Sequence, residues 1–163
     1  MPFTPFHLGP GALFKGAGGD RFSFMVFGGA QVLMDIEPLV RILRHDGVLH
    51  GFTHTIAGAL AVGAITGALG KPISEPILRF FGLLRHPIPW KVSFITAMIG
   101  TYSHIILDGI MHADMEPFWP LIAGNPLLGL VDVGLLHILC AICGIIGAIA
   151  VAVRWSARND LER

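Results

Sequence analysis

Residues 127–153 read LLGLVDVGLLHILCAICGIIGAIAVAV, and this stretch decides the class of the fold. Asp132 and His137 are its only residues that can carry a charge. The stretch is longer than the roughly 20 apolar residues that a helix needs to cross a bilayer. Three other stretches have a similar character: residues 22–43, 51–69 and 92–112. The sequence therefore predicts an integral membrane bundle of about four transmembrane helices.

The composition of the whole chain agrees with a membrane protein. Hydrophobic residues make up 53% of the sequence and charged residues only 13%, whereas a soluble domain carries about 25% charged residues. The formal net charge is zero and there is no basic stripe, which argues against a nucleic-acid partner. The first residues lack a basic segment followed by an apolar core, so we expect no cleavable signal peptide. Residues 1–163 are expected to form one domain.

Two shorter segments complete the predicted all-α fold. Residues 74–85 place apolar side chains on one helical face and basic ones elsewhere, which predicts an amphipathic helix lying in the membrane interface. Residues 3–19 are apolar but short, and they contain Pro10 and several glycines. This segment is expected to be an N-terminal arm or a short re-entrant helix. Cys140 and Cys143 lie in an apolar run and are interpreted as small packing residues.

The distribution of lysine and arginine predicts the orientation in the membrane. The segment from 70 to 91 and the C-terminal tail are rich in basic residues, whereas the segment from 113 to 126 has none. Basic loops remain in the cytoplasm. We therefore expect a multi-pass protein of the cytoplasmic (inner) membrane whose C-terminus is cytoplasmic.

Ionisable residues within the predicted spans gather toward the outer side. Residues His104, Asp108 and His112 follow one another at intervals of four, which places them on one helical face. His50 and His54 have the same spacing at the outer end of the second span. The outer end of the first span carries Asp35 and Glu37. The alternating direction of successive spans brings all of these residues to the same side of the bundle.

The energetics of burial favour a metal among these residues. A carboxylate at membrane depth costs about 2.5–3.5 kcal/mol even on the insertion scale. The spans hold too few basic side chains to neutralise the acids, whereas carboxylates and neutral imidazoles are the ligands of divalent metals. The alternative is a polar network with a purely structural role, in which each histidine is a hydrogen-bonded core residue.

Several motifs resemble the YdjM-like family of predicted membrane-bound metal-dependent hydrolases. The matching stretches, in order, are Pro5-Phe6-His7, Met34-Asp35-Ile36-Glu37, His50-Gly51-Phe52-Thr53-His54, Ser103-His104-Ile105-Ile106-Leu107-Asp108 and Pro117-Phe118-Trp119-Pro120. Where the family usually has a second aspartate, this chain has Glu37. The alternation of His and Asp on helices is also similar to the all-helical zinc phospholipase C group, which suggests phosphate esters as substrates.

The resemblance implies metal-assisted hydrolysis at the outer membrane face. One or two divalent ions, expected to be zinc, would be held by His7, Asp35, His50, His54, His104, Asp108 and His112. For His7 to take part, the N-terminal segment must begin outside and dip into the membrane. Glu37 or Asp114 would act as the general base. Arg41 and Arg44 would bind a phosphate group of a lipid or similar ester, or would only anchor the chain in the interface.

Two other classes of function fit the same residues. In the first alternative the protein is a metal-ion transporter, and the ligands hold the ion transiently. Alternatively it is a structural or accessory subunit of a membrane assembly with a static metal or polar site. Membrane lipid is the expected partner in each case, and a homo-oligomer or a membrane complex is compatible with all three.

Overall fold

The computed structural model describes residues 5–161, and within that range it contains helices and loops but no strand. This confirms the predicted all-α fold. The described α-helices are α1 (Leu8–Gly18), α2 (Phe24–Met34), α3 (Ile36–Leu43), α4 (Ile56–Phe80), α5 (Trp90–Met111) and α6 (Val133–Leu161). Short 3₁₀ turns at Pro5–His7, Gly19–Arg21 and Phe52–His54 lead into or out of these helices. Residues 3 and 4 of the predicted N-terminal segment lie outside the described range.

Within residues 5–161, three helices are long and apolar enough to cross a membrane: α4, α5 and α6. The fourth predicted span, 22–43, is divided at Asp35 into α2 and α3. Pro38 explains the division, because it has no N–H to donate to the carbonyl of Met34 four residues earlier. The 11 residues of α2 cover about 16 Å, roughly half the thickness of the hydrocarbon core.

The predicted separate helix over residues 74–85 is not present as such. Its first half continues α4, which runs unbroken to Phe80 in spite of Pro72 and Pro76. At 25 residues, α4 extends about 37 Å and so exceeds the hydrocarbon core of the bilayer. The chain then turns at Gly82, whose φ of 67° lies in the left-handed region that glycine adopts without strain.

Close helix contacts hold the bundle together. Helix α1 packs along α6, α4 packs along α5, and α2 packs against both α4 and α5. Gly9 and Gly147 make the first of these contacts possible, because a Cβ at either position would collide with the backbone of the facing helix. The short helix α1 is thereby fixed at its place in the bundle.

The direction of each helix determines which residues meet. The beginnings of α1 and α4 and the ends of α2 and α5 lie at one end of the bundle, which we call the histidine end. At the other end lie the segment 19–22, the turn 81–89 and the last turns of α6. We call this the arginine end, because four arginines line its cavities.

Candidate metal centre

Asp108 lies at the centre of the histidine end, surrounded by imidazole rings. Its carboxylate is buried in the last turn of α5. The Nε2 atoms that approach its oxygens are those of His104 at 3.0 Å, His7 at 3.2 Å, His54 at 3.7 Å, and His50 and His112 at 3.9 Å each. Asp35 approaches the same cluster, with its Oδ1 3.5 Å from Nε2 of His104. Two carboxylates therefore share a buried space with five imidazoles.

The ligand atoms fall into two groups that share Asp108. The first group comprises Asp35, His54, His104 and Asp108, all of them buried. The second comprises His50, Asp108 and His112, of which His112 is partly exposed. Within each group one ligand atom per residue lies within 4.8 Å of all the others, so either group could surround a single ion.

Local structure holds these groups in place. The hydroxyl of Thr55 accepts a hydrogen bond from the N–H of Gly58 and so caps α4 directly after His54. At the end of α5, the side-chain amide of Asn125 donates to the carbonyls of Gly109 and His112. Both helix ends that carry histidines are therefore fixed by polar side chains.

The hydrogen bonds of His104 define which of its ring nitrogens carries the proton. The side-chain amide of Gln31 donates from Nε2 to the carbonyl of Gly100 at 2.9 Å, which directs its oxygen toward the imidazole. Nδ1 of His104 lies 2.7 Å from that oxygen and must donate to it. In the neutral ring, Nε2 of His104 is then unprotonated, and its lone pair faces the carboxylate of Asp108.

His50 is oriented in the same way by Asp114. Its Nδ1–H donates to Oδ1 of Asp114 at 2.9 Å, and the other carboxylate oxygen accepts from the backbone N–H groups of Leu49 and His50. Burial alone would raise the pKa of Asp114, but these hydrogen bonds outweigh it and lower the pKa to about 2. Asp114 is therefore an ionised acceptor at neutral pH, and in the neutral tautomer that donates from Nδ1 the Nε2 atom of His50 carries the lone pair.

A third chain of hydrogen bonds orients His54. The carboxylate of Glu37 accepts the hydroxyl and the backbone N–H of Thr53 at one oxygen and the guanidinium of Arg41 at the other. Because the Thr53 hydroxyl gives its proton to Glu37, its oxygen accepts from Nδ1–H of His54 at 3.0 Å. Nε2 of His54 then also carries a lone pair, which is directed at Asp108.

As a consequence, several buried polar atoms in the cluster have no hydrogen-bond partner. Within the described residues, Nε2 of His54, Nε2 of His104 and Oδ1 of Asp108 are buried without a hydrogen-bond partner. Both ring nitrogens of His7 are in the same condition. Lone pairs facing a carboxylate at 3–4 Å repel it unless a proton or a cation lies between them.

The structure brings together all seven residues that the sequence suggested as metal ligands. The two suggested bases lie one layer further out, since Glu37 contacts Thr53 and Arg41 while Asp114 contacts Leu49 and His50. Arg41 is bound to Glu37 and to the carbonyl of Val48, and Arg44 is exposed.

Sequence reasoning missed Gln31 and did not single out Thr53, which both orient histidines. A signal for Gln31 was available. It is a polar residue in an otherwise apolar helix, and it lies one turn before Asp35.

The three apolar helices and the His/Asp cluster define a class: helical membrane proteins with a buried group of potential metal ligands. The profile of the YdjM inner membrane protein family matches residues 19–161, and the chain belongs to this family. It is therefore a multi-pass protein of the inner membrane, as the apolar stretches and the distribution of basic residues predicted. No curated protein and no solved structure matches the chain.

Proposed function

We propose that the cluster at the histidine end binds a divalent metal and that the protein is a membrane-bound, metal-dependent hydrolase. The observation that carries the first half is the arrangement of His50, His54 and His104. Each donates Nδ1–H to an acceptor outside the cluster and turns Nε2 toward Asp108. Histidine ligands of metals characteristically have the second ring nitrogen engaged in this way, which fixes tautomer and orientation.

Charge balance favours a metal over protons. When both are ionised, Asp35 and Asp108 together carry two negative charges, which one divalent ion would neutralise. If protons replaced the metal, several imidazoles within 4 Å of one carboxylate would compete to be charged, and each buried cation beyond those the two acids balance would be costly. Nitrogen and carboxylate ligands in a group of four suit zinc.

The residues suggest a division of roles. Asp35, His54, His104 and Asp108 would hold one ion, and His50, Asp108 and His112 would hold a second, with His7 adjoining the first. A bound divalent metal supplies a nucleophile by lowering the pKa of its water to about 7. Glu37 and Asp114 are better suited to orienting His54 and His50 than to acting as the base, because their oxygens already accept hydrogen bonds.

A phosphoester or lipid substrate is supported by the surroundings of the second group. His112 is partly exposed, so this group is the more accessible one. The loop that follows it is tied to the start of α4 by the hydrogen bond from Ile56 N–H to the carbonyl of Pro117. Phe52, Trp119 and Leu121 are exposed apolar residues near that junction. Such a rim suits a substrate that reaches the site from the bilayer, on the side that the charge distribution predicts to be outside.

The same observations give less support to the two rival functions, a metal-ion transporter and a structural subunit. A metal-ion transporter needs polar groups along a path, yet in the described residues the buried imidazoles and carboxylates are confined to the histidine end. The buried polar side chains toward the arginine end are hydroxyls, and Ser93 and Thr96 are hydrogen-bonded to neighbouring helix backbone. A structural subunit with a static metal would have the same cluster and no activity.

Elemental analysis of the detergent-purified protein tests the proposal. Wild type is expected to contain near-stoichiometric zinc or another transition metal, and the Asp108→Ala/His104→Ala double variant is expected to contain almost none. His137→Ala is the matched control, because His137 stacks on Phe6 outside the cluster. Absence of metal from carefully prepared wild type would overturn the proposal.

The hydrolase half has its own test. The metal-loaded protein would be assayed against a panel of phosphomonoesters, phosphodiesters and phospholipids, with the double variant as blank. Hydrolysis of any substrate by wild type alone supports an enzyme. Stoichiometric metal with no hydrolysis, and co-purification with a fixed partner, would favour the structural subunit instead.

A further inference from the structure

The arginine end of the bundle contains two adjoining cavities. One has a volume of about 500 Å³ and the other about 360 Å³. Their walls share Asp20 and Arg158, and we call the two adjoining cavities together the recess. The side chains that line it and can carry charge or stack are Asp20, Arg21, Arg85, His86, Arg154, Trp155 and Arg158.

The recess is strongly cationic. Four of its lining residues are arginines, which are always charged, and among the described residues Asp20 is the one carboxylate that lines it. Arg158 donates to Asp20 at 2.9 Å, so this acid neutralises one of the four. Within the described residues, Arg21 and Arg154 have no carboxylate partner, so they add about two positive charges to a surface that adjoins the ends of two helices long enough to cross the membrane.

Three of the four guanidinium groups, those of Arg85, Arg154 and Arg158, are held in place by contacts with neighbouring groups. Arg85 stacks 4.2 Å above the ring of Trp155 and donates to Asn159 at 2.6 Å. Arg154 donates to the carbonyl of Ala17 at 3.1 Å. Within the described residues, Arg154 and Arg158 each use one N–H in these contacts, and a guanidinium has five. Arg21 is exposed and makes no contact of this kind within the described residues.

We propose that this recess binds the phosphate of an anionic molecule, foremost the headgroup of an anionic phospholipid. Arginine forks match phosphate oxygens in pairs, and pre-positioned forks lose little entropy on binding. Basic pockets between membrane helices on the cytoplasmic side are typical receptors for such headgroups. A volume of about 500 Å³ accommodates a headgroup-sized ligand. The site is separate from the metal cluster and does not depend on it.

Native mass spectrometry of the full chain in detergent tests the assignment. The protein would be titrated with phosphatidylglycerol, with phosphatidylcholine and with inorganic phosphate. We expect phosphatidylglycerol to bind at least about tenfold more tightly than phosphatidylcholine. The variant Arg21→Gln/Arg154→Gln should lose about thirtyfold of that affinity, since each arginine near an anionic headgroup contributes about one factor of five.

The matched control is Arg79→Gln/Lys91→Gln, which removes the same charge from exposed positions that do not line the recess. It should change the affinity less than twofold. Equal losses in both double variants, or equal binding of the two lipids, would overturn the proposal. If the first variant does not fold, Arg21→Gln alone should still lose about fivefold.

The inorganic phosphate arm identifies the source of the ligand. If phosphate binds wild type but not the Arg21→Gln/Arg154→Gln variant, and phosphatidylglycerol is not retained, the recess serves a soluble phosphate compound. Retention of the lipid without measurable binding of phosphate assigns it to the headgroup. Failure of both arms would overturn the site while leaving the metal centre untouched.

Discussion

Asp108 and Arg158 lie at opposite ends of the same bundle, and their charges are balanced in different ways. Asp108 is buried among five imidazoles, three of which direct an Nδ1 proton away from it. Arg158 is about 40% exposed and pairs with an Asp20 that is exposed as well. Water stabilises the second charge directly, whereas the first depends entirely on what occupies the space around it.

The comparison indicates which end of the bundle is suited to tight and selective ligand binding. A desolvated carboxylate with unsatisfied imidazoles is a high-energy arrangement that a cation would relieve, so we expect the binding proposed there to be strong and specific. Solvated arginines attract an anion with modest energy and little selectivity among phosphate compounds of the same net charge. Four tests, which use five substitutions, probe this difference, and their expected effects decrease in the order given.

The largest effect is expected for Asp108→Asn. The substitution keeps the shape of the side chain but removes the charge that both ligand groups share. Zinc affinity should fall by more than the 10–100-fold typical of residues that only support a ligand, that is by at least about a hundredfold. Competition with a chromogenic chelator measures it. Asp46→Asn, at an exposed loop position, is the control, and equal affinities in the two variants would contradict the metal centre.

The next effect concerns the residues that orient the histidines. Gln31→Leu removes the acceptor of His104. Asp114→Asn replaces one of the two carboxylate oxygens that accept from the His50 ring and from the backbone by an NH2 group that cannot accept, and neither substitution removes a ligand. Each should reduce zinc affinity by about 10–100-fold. The same chelator competition applies, with the exposed Glu116→Gln as control. A zinc affinity for Asp114→Asn that matches the control would mean that His50 needs no such partner.

Helix packing between the two ends is tested by Gly147→Ala. A Cβ at this position would collide with the backbone of Ala12 in α1, so we expect a loss of about 1–3 kcal/mol in the free energy of unfolding. Gly29→Ala is the control, because nothing lies within 4 Å of a Cβ there. It should be neutral or slightly stabilising, since alanine favours a helix. Thermal unfolding in detergent compares the two, and equal stabilities would show that α1 is not tightly packed on α6.

The smallest effect is expected for Arg158→Gln. The broken ion pair is exposed on both sides, so the free energy of unfolding should change by less than about 1 kcal/mol, and less still at high salt. The same thermal unfolding experiment at two salt concentrations measures it. A loss as large as that of Gly147→Ala would mean that the arginine end is a structural element, and the contrast between the two ends would fail.

Much of the site could be predicted because it depends on local patterns. A spacing of four places His104, Asp108 and His112 on one helical face wherever the helix lies. The alternating direction of the helices then brings them to the end that also carries His54 and Asp35. Both inferences need only helix geometry and the count of crossings, and the structure confirms that these residues meet.

The division of residues 22–43 and the length of α4 were predicted less well. Apolar composition indicates that a segment is buried in protein or lipid, but it does not say where a helix breaks. Pro38 ends α2 early, whereas Pro72 and Pro76 leave α4 intact. The outcome depends on whether neighbouring groups satisfy the carbonyls that each proline leaves without a donor, which is a property of the packed bundle.

By itself, the sequence determined that the chain is a helical membrane protein and which histidines and acids share one end, because hydropathy and helical periodicity are local properties. Only the tertiary structure decided that α1 lies against α6 with His7 beside Asp108, and that Gln31, Thr53 and Asp114 take the outer protons of three histidines. Those contacts join residues as far as 101 positions apart in the case of His7 and Asp108. The direction of a ring nitrogen is set by such partners, and no local pattern encodes them.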